Sequence, residues 1–179
     1  MSVLIIAEAG VNHNGSFELA KKMADVAKAA GADIVKYQTA KPELVVSRFA
    51  QKAEYQKEKT GADESQLEMI KKIHFGFEAH REIKEYCDSI GIMYLSTPFD
   101  MDSIDFLAEM DMPVWKIPSG EITNLPYLEK VAQLKKPIIM STGMCEIEEV
   151  KASLDVLYKN GATDVTILHC NTEYPTPLK

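Results

Sequence analysis

Six short apolar runs punctuate this chain: Val3–Ala7, Ile34–Gln38, Ile92–Leu95, Val114–Ile117, Pro137–Met140 and Val165–Leu168. They lack the strict alternation of a half-solvated strand, so both faces must be covered, as in a parallel sheet flanked by helices. The intervening segments mostly carry helical periodicity, and each helix-to-strand turn is short while the strand-to-helix turns hold the polar residues. That order leaves a parallel α/β barrel or a doubly wound sheet, both of which place ligands at the carboxyl ends of the strands. A complete (β/α)8 barrel needs roughly 250 residues. With 179 residues, the expectation is a TIM barrel truncated after its sixth strand, one partial domain over residues 1–179 with two open sheet edges.

The helices are bounded by readable signals. Ser16 is placed to cap a first helix with a core stripe of Leu19, Met23, Val26, Ala27 and Ala30, ended by Gly31. From Thr39 to Phe77 the rhythm breaks into a long charged excursion, with a short helix over Gln66–Ile73; excursions of this length serve as lids or binding loops. The charge cluster from Lys52 to Glu64 reads as a solvated face. Further helices are predicted over Glu78–Ile90, Met101–Met110, Leu125–Leu134 and Glu146–Tyr158.

Composition removes several function classes. A hydrophobic fraction of 46% with 26% charged residues suits a globular core, and a net charge of −7 disfavours nucleic acid or an anionic membrane as partner. There is no transmembrane run, and Val3–Ala7 is too short for a signal peptide. Cys87, Cys145 and Cys170 are odd in number without CxxC spacing, which fits a reducing compartment, so the cytoplasm is expected.

The strand ends then carry the chemistry. They offer Glu8, Lys36 with Gln38, Ser96 with Thr97, Lys116 with Ser119 and Glu121, Ser141 with Thr142, and His169 with Asn171 and Tyr174. A lysine at the end of an apolar strand must meet either a fixed carboxylate or an anionic ligand, because an unpaired buried charge is expensive. Either lysine alone is explained by an ion pair to Glu8 or Glu121. Two in equivalent positions, beside hydroxyls and turn amides, point to a gripped phosphate or carboxylate. Glu8 and Glu121 are candidates for proton handling. His13 and His169 read as hydrogen-bonding loop residues before they read as metal ligands, His74 and His80 as helix-surface groups, and Cys170 as a small buried residue. Gly10 and Gly15 lack the spacing of either phosphate-loop motif.

Six segments in order resemble the sialic acid (N-acetylneuraminate) synthases and their legionaminic and pseudaminic acid relatives. They are Ile6–Gly15, Val35–Thr39, Leu95–Phe99, Lys116–Glu121, Ser141–Met144 and Leu168–Pro175. The resemblance implies a TIM barrel that condenses phosphoenolpyruvate with N-acetylmannosamine or a related 2-acetamido sugar, giving N-acetylneuraminate or a related nonulosonate and phosphate. It implies that Lys36 and Lys116 hold the phosphate and carboxylate of phosphoenolpyruvate with help from Thr97, Ser119 and Ser141. Glu121 and Tyr174 would contact the sugar, Gln38 and Asn171 would join the substrate site, and Glu8 would move a proton. In such a family a divalent metal, manganese or magnesium, activates the sugar aldehyde, and its histidine ligands are expected beyond residue 179, as is a C-terminal antifreeze-like domain that completes a homodimer. The isolated chain is accordingly expected to be poorly active. Two other readings stay open: a Schiff-base aldolase of a 2-oxo acid built on one of the lysines, and a fragment acting only in binding or assembly.

Overall fold

The computed structural model describes residues 3–51 and 65–172. The chain divides into two compact units, Met1–Leu95 and Ser96–Lys179.

In the first unit β1 (Ile6–Gly10) leads through the cap of Ser16, whose Oγ accepts from the Leu19 N–H, into α1 (Phe17–Ala29) and then β2 (Ile34–Thr39). A single turn, α2 (Pro42–Val45), follows, and α3 (Gln66–Ile73) begins at a capping box between Ser65 and Glu68. Next come α4 (Phe77–Ile90), closed by Gly91 in the left-handed conformation, and β3 (Met93–Pro98). The sheet order is β1-β2-β3, with β1 and β2 parallel and Glu8 opposite Lys36.

Two expectations fail here for identifiable reasons. The first strand is Ile6–Gly10 rather than Val3–Ala7, and Val3, Leu4 and Ile5 are 79%, 54% and 51% exposed. In the order β1-β2-β3 this strand is an edge, so its outer side has no cover in the sheet. Pairing also starts late, because the Ile5 amide is held by the Asp33 carboxylate at 2.8 Å. The buried stripe of α1 is Ala20, Ala24 and Ala27, not the larger residues, since alanines let α1 approach β1, β2 and α4 closely. Leu19 and Val26 are exposed and, with Met23, line an apolar groove of about 410 Å³.

The second unit repeats the alternation. Its elements are α5 (Met101–Glu109), β4 (Trp115–Ile117), a 3₁₀ turn over Ser119–Glu121, α6 (Leu125–Gln133), β5 (Ile138–Ser141), α7 (Ile147–Lys159) and β6 (Val165–Leu168). Asp100 and Asn124 cap α5 and α6 through their side-chain oxygens. The strands β4, β5 and β6 are parallel neighbours, with Lys116 opposite Ile139 and Ser141 opposite Leu168. Its core gathers Trp115, Ile117, Tyr127, Leu128, Val131, Met140 and Leu157, all at most 2% exposed. Among the described residues no helix is long and apolar enough to cross a membrane.

Candidate functional site

The carboxyl ends of β1 and β2 are shaped by a bulge. The register slips between Glu8 and Gly10, and Gly10 takes a φ of +55°, so the strand bends at its last residues. A Cβ on Gly10 would stand 3.3 Å from Glu8 Oε1 and 3.5 Å from Gln38 Nε2, which shows how tightly those two side chains close over the glycine. Lys36 is buried and forms an ion pair with Glu8, whose side chain is 49% exposed. The carboxylate offsets the cost of burying the ammonium while its open side faces solvent. Glu8, Lys36 and Gln38 therefore stand together, and the ion-pair reading of Lys36 is realised in the structure.

The loop after β1 hangs on His13. The ring is fully buried and stacks on Phe75 with centroids 3.8 Å apart and planes at 9°. Its Nδ1 accepts from the Gly15 N–H at 3.2 Å. Burial, with His74 nearby as a second cause, lowers the His13 pKa to about 4, so the ring is neutral and its proton sits on Nε2. That Nε2 has no hydrogen-bond partner among the described residues. His80 corrects the surface reading: it is fully buried on the face of α4 shared by Ile83 and Cys87, with Nδ1 2.9 Å from the Tyr94 hydroxyl. Its pKa is lowered to about 3 by burial first and then by His13 and His74. His74 is half-buried at the end of α3.

Gly15 gives this loop a sharp test. Its φ is +74°, and an added Cβ would meet the Lys72 carbonyl oxygen at 2.4 Å. Gly15→Ala is expected to cost at least about 2 kcal/mol, because left-handed backbone alone costs a side chain roughly 1–2 kcal/mol. A urea midpoint unchanged by the substitution would contradict this placement of the loop.

In the second unit the parallel strands bring their carboxyl-terminal turns to one end. Thr97 and Lys116 are buried, and Lys116 Nζ donates to the Ile117 carbonyl at 2.7 Å. Ser119 and Glu121 sit half-buried in the 3₁₀ turn, where Glu121 Oε2 accepts from Asn124 Nδ2 at 2.7 Å. Ser141 is half-buried at the end of β5, and the loop behind it is tied on both sides. Cys145 Sγ donates to the Ser119 carbonyl at 3.4 Å, and Thr142 Oγ1 donates to the Leu168 carbonyl at 2.9 Å. A Cβ on Gly143 would lie 3.0 Å from the Asn171 carbonyl oxygen, so Asn171, itself exposed, adjoins the same loop. Lys116, Ser119, Glu121, Ser141 and Asn171 thus share the strand ends of one unit.

Sequence reasoning missed Asn124 as the residue that orients Glu121, although Asn-Leu-Pro is a legible helix start. Cys170 is half-buried rather than buried, and His169 is exposed. Tyr174 and the run Lys52–Glu64 lie outside the described residues. No group of three histidine, cysteine or carboxylate side chains among the described residues is arranged to hold a metal ion.

Residues 23–179 match the model of the NeuB family. The chain is 52% identical to the N,N'-diacetyllegionaminic acid synthase of Campylobacter jejuni, over 98% of this chain and 53% of that protein. To the human N-acetylneuraminate-9-phosphate synthase it is 32% identical, over 96% of this chain and 47% of that protein. Among solved structures, an N-acetylneuraminic acid (sialic acid) synthetase from Leptospira borgpetersenii in complex with citrate superposes with a TM-score of 0.83 at 29% identity, covering 99% of this chain and 57% of that one. The chain spans about half the length of the curated relatives it matches.

Proposed function

The chain belongs to the NeuB family, and from that premise we propose that its strand ends form the phosphoenolpyruvate-gripping part of a nonulosonate synthase. The single observation that carries the proposal is Lys116, an ammonium buried at the carboxyl end of a parallel strand, followed within five residues by Ser119 and Glu121. The relatives named as legionaminic and N-acetylneuraminate-9-phosphate synthases support the product class. On this reading the strands belong to a TIM barrel, and the acceptor is N-acetylmannosamine or a related 2-acetamido sugar in its open form.

The reaction joins C3 of phosphoenolpyruvate to the sugar aldehyde carbon, and the aldehyde oxygen takes up a proton to become a hydroxyl. Water adds at C2, and phosphate leaves with its bridging oxygen. Negative charge grows on that leaving phosphate, so fixed positive groups stabilise the departure more than the ground state. Lys36 and Lys116 fill that role, with Thr97, Ser119 and Ser141 donating hydrogen bonds. Glu8, whose carboxylate has one side on Lys36 and another on solvent, suits proton transfer. Glu121, positioned by Asn124, is assigned to the sugar, and the family resemblance adds Gln38, Asn171 and Tyr174 to the substrate residues. A manganese or magnesium ion is part of the family expectation, and the described residues offer it no ligand set. A cytoplasmic homodimer completes the reading.

Calorimetry with phosphoenolpyruvate on the 179-residue chain tests the grip. Lys116→Ala is expected to weaken binding at least about 30-fold, roughly 2 kcal/mol. Equal affinity in the variant would remove Lys116 from the site, and no binding by the unaltered chain would count against a grip made from these residues. Borohydride trapping of a pyruvate adduct would instead favour an imine-forming lysine.

A further inference from the structure

Five residues, Thr142–Glu146, connect β5 to α7, and both ends of the connection are fixed. Behind them the parallel ladder closes at Ser141 opposite Leu168. Ahead of them the capping box of α7 ties the Glu146 N–H to Glu149 Oε2 at 2.8 Å. Inside the loop the Cys145 N–H donates to the Thr142 carbonyl at 3.3 Å, so the segment is a tight turn.

Backbone pairing in this unit stops short of the candidate ligand residues. The β4–β5 ladder ends at Ile117 opposite Met140, two residues before Ser119, and the β5–β6 ladder ends three residues before Asn171. Neighbouring strands twist relative to one another, so the turns beyond the last rung splay unless something joins them. Two side chains of the loop make that join. Thr142 Oγ1 donates to the Leu168 carbonyl at 2.9 Å on the β6 side, and Cys145 Sγ donates to the Ser119 carbonyl at 3.4 Å on the β4 side. Both acceptors are backbone carbonyls, so neither bond occupies the hydroxyl of Ser119 or Ser141.

Packing follows the same two directions. A Cβ on Gly143 would lie 3.0 Å from the Asn171 carbonyl oxygen and 3.3 Å from Cys170 Cβ, so the residues after β6 rest directly on the bare glycine. Toward β4, a Cβ on Gly120 would lie 4.0 Å from Met144 Sδ, an ordinary contact. A hydroxyl is a better donor than a thiol, so the Thr142 bond is the stronger of the two.

We propose that this loop is a strap, and that Thr142 and Cys145 are positioning residues that hold the ends of β6 and β4 at a fixed separation from Ser141. Resting on the synthase reading, the strap sets the spacing of Ser119 and Ser141 around phosphoenolpyruvate and the place of Asn171 beside them. Donors to one bound phosphate tolerate misplacement of only about 0.5 Å, so a tie that costs the fold little has a larger effect on the ligand.

Amide chemical-shift mapping and phosphoenolpyruvate calorimetry on the 179-residue chain test this. Thr142→Val keeps the branched shape and removes the hydroxyl, Thr142→Ser returns the hydroxyl without the methyl, and Cys145→Ala removes the thiol. Thr142→Val is expected to shift the Cys170 and Asn171 amides and to weaken phosphoenolpyruvate about fivefold, the equivalent of one hydrogen bond. Thr142→Ser should return those amides and bring affinity to within about twofold of the unaltered chain, and Cys145→Ala should shift Ser119 and Gly120 with a loss of about twofold. Equal affinity in Thr142→Val, or a serine variant no better than the valine one, would overturn the positioning role, because a residue that only packs is not rescued by its hydroxyl. Failure of the synthase reading looks different: the unaltered chain binds no phosphoenolpyruvate, while valine still moves Cys170 and Asn171 and serine still returns them, which keeps the strap and removes that ligand. Amides of Cys170 and Asn171 unmoved by Thr142→Val would overturn the strap in either case.

Discussion

Trp115→Ala is expected to lower stability by about 3–5 kcal/mol, the usual cost of deleting a large buried aromatic, and to leave the second unit close to its unfolding threshold at room temperature. Trp115 opens β4, is 2% exposed, and its backbone N–H donates to the Pro137 carbonyl at 2.8 Å. The indole fills the core behind Lys116, so its loss would also loosen the strand that presents the ammonium. Trp115→Phe separates volume from polarity. The indole Nε1 is buried without a hydrogen-bond partner among the described residues, so phenylalanine removes an orphan donor while keeping most of the ring. We expect that variant to cost less than about 1.5 kcal/mol. Urea unfolding must be followed by circular dichroism, since Trp115 is the sole tryptophan and its fluorescence disappears with it. Equal damage from both variants would mean that the N–H, not the volume, matters.

The alternation of strands and helices was legible because each apolar run is short and bounded by a cap or a turn residue. Ser16 and Gly91 act in the structure as their residue types predict, whereas the cap at Asp100 emerges only in the structure. What periodicity could not show is which neighbours a segment has. Val3–Ile5 are as apolar as any core strand, yet the edge position of β1 leaves them exposed. Along α1 a hydropathy rule ranks Leu19 and Val26 above alanine, whereas close packing inverts that order and buries Ala20 and Ala24.

The candidate site was legible to a similar depth. Lysines ending apolar strands, and hydroxyls in the following turns, are visible one residue at a time, and the second unit does gather Lys116, Ser119, Ser141 and Asn171 at parallel strand ends. The choice between ligand and ion pair for Lys36 depended on the register of two strands, and the structure sets Glu8 opposite it. His80 was misread because one histidine on a charged helix looks solvated. Only the i, i+3, i+7 spacing of His80, Ile83 and Cys87 marks it as inward, and that spacing becomes decisive once Tyr94 supplies its hydrogen bond.

Those buried histidines make the first unit sensitive to acid in a window set by their shifts. In the unfolded chain each ring takes a proton near pH 6.5, while in the folded chain His13 resists protonation down to about pH 4 and His80 to about pH 3. Between those values the unfolded state binds more protons, so stability rises with pH there and is lost on acidification. Above pH 6.5 both states are neutral and the effect vanishes. At pH 5 each ring contributes about 2 kcal/mol of destabilisation relative to pH 7.5, so the pair removes about 4 kcal/mol. Protonation of His13 would also break the Gly15 N–H bond to Nδ1 and release the loop that follows Glu8. Denaturant midpoints measured from pH 7.5 to 4.5 should therefore fall most steeply around pH 5, midway between the unfolded and folded values. The paired substitution His13→Phe and His80→Phe should flatten the curve, even though it leaves the buried Tyr94 hydroxyl without its Nδ1 partner and lowers stability at neutral pH. A slope unaltered in that variant would assign the acid sensitivity to carboxylates and free the histidines from this role.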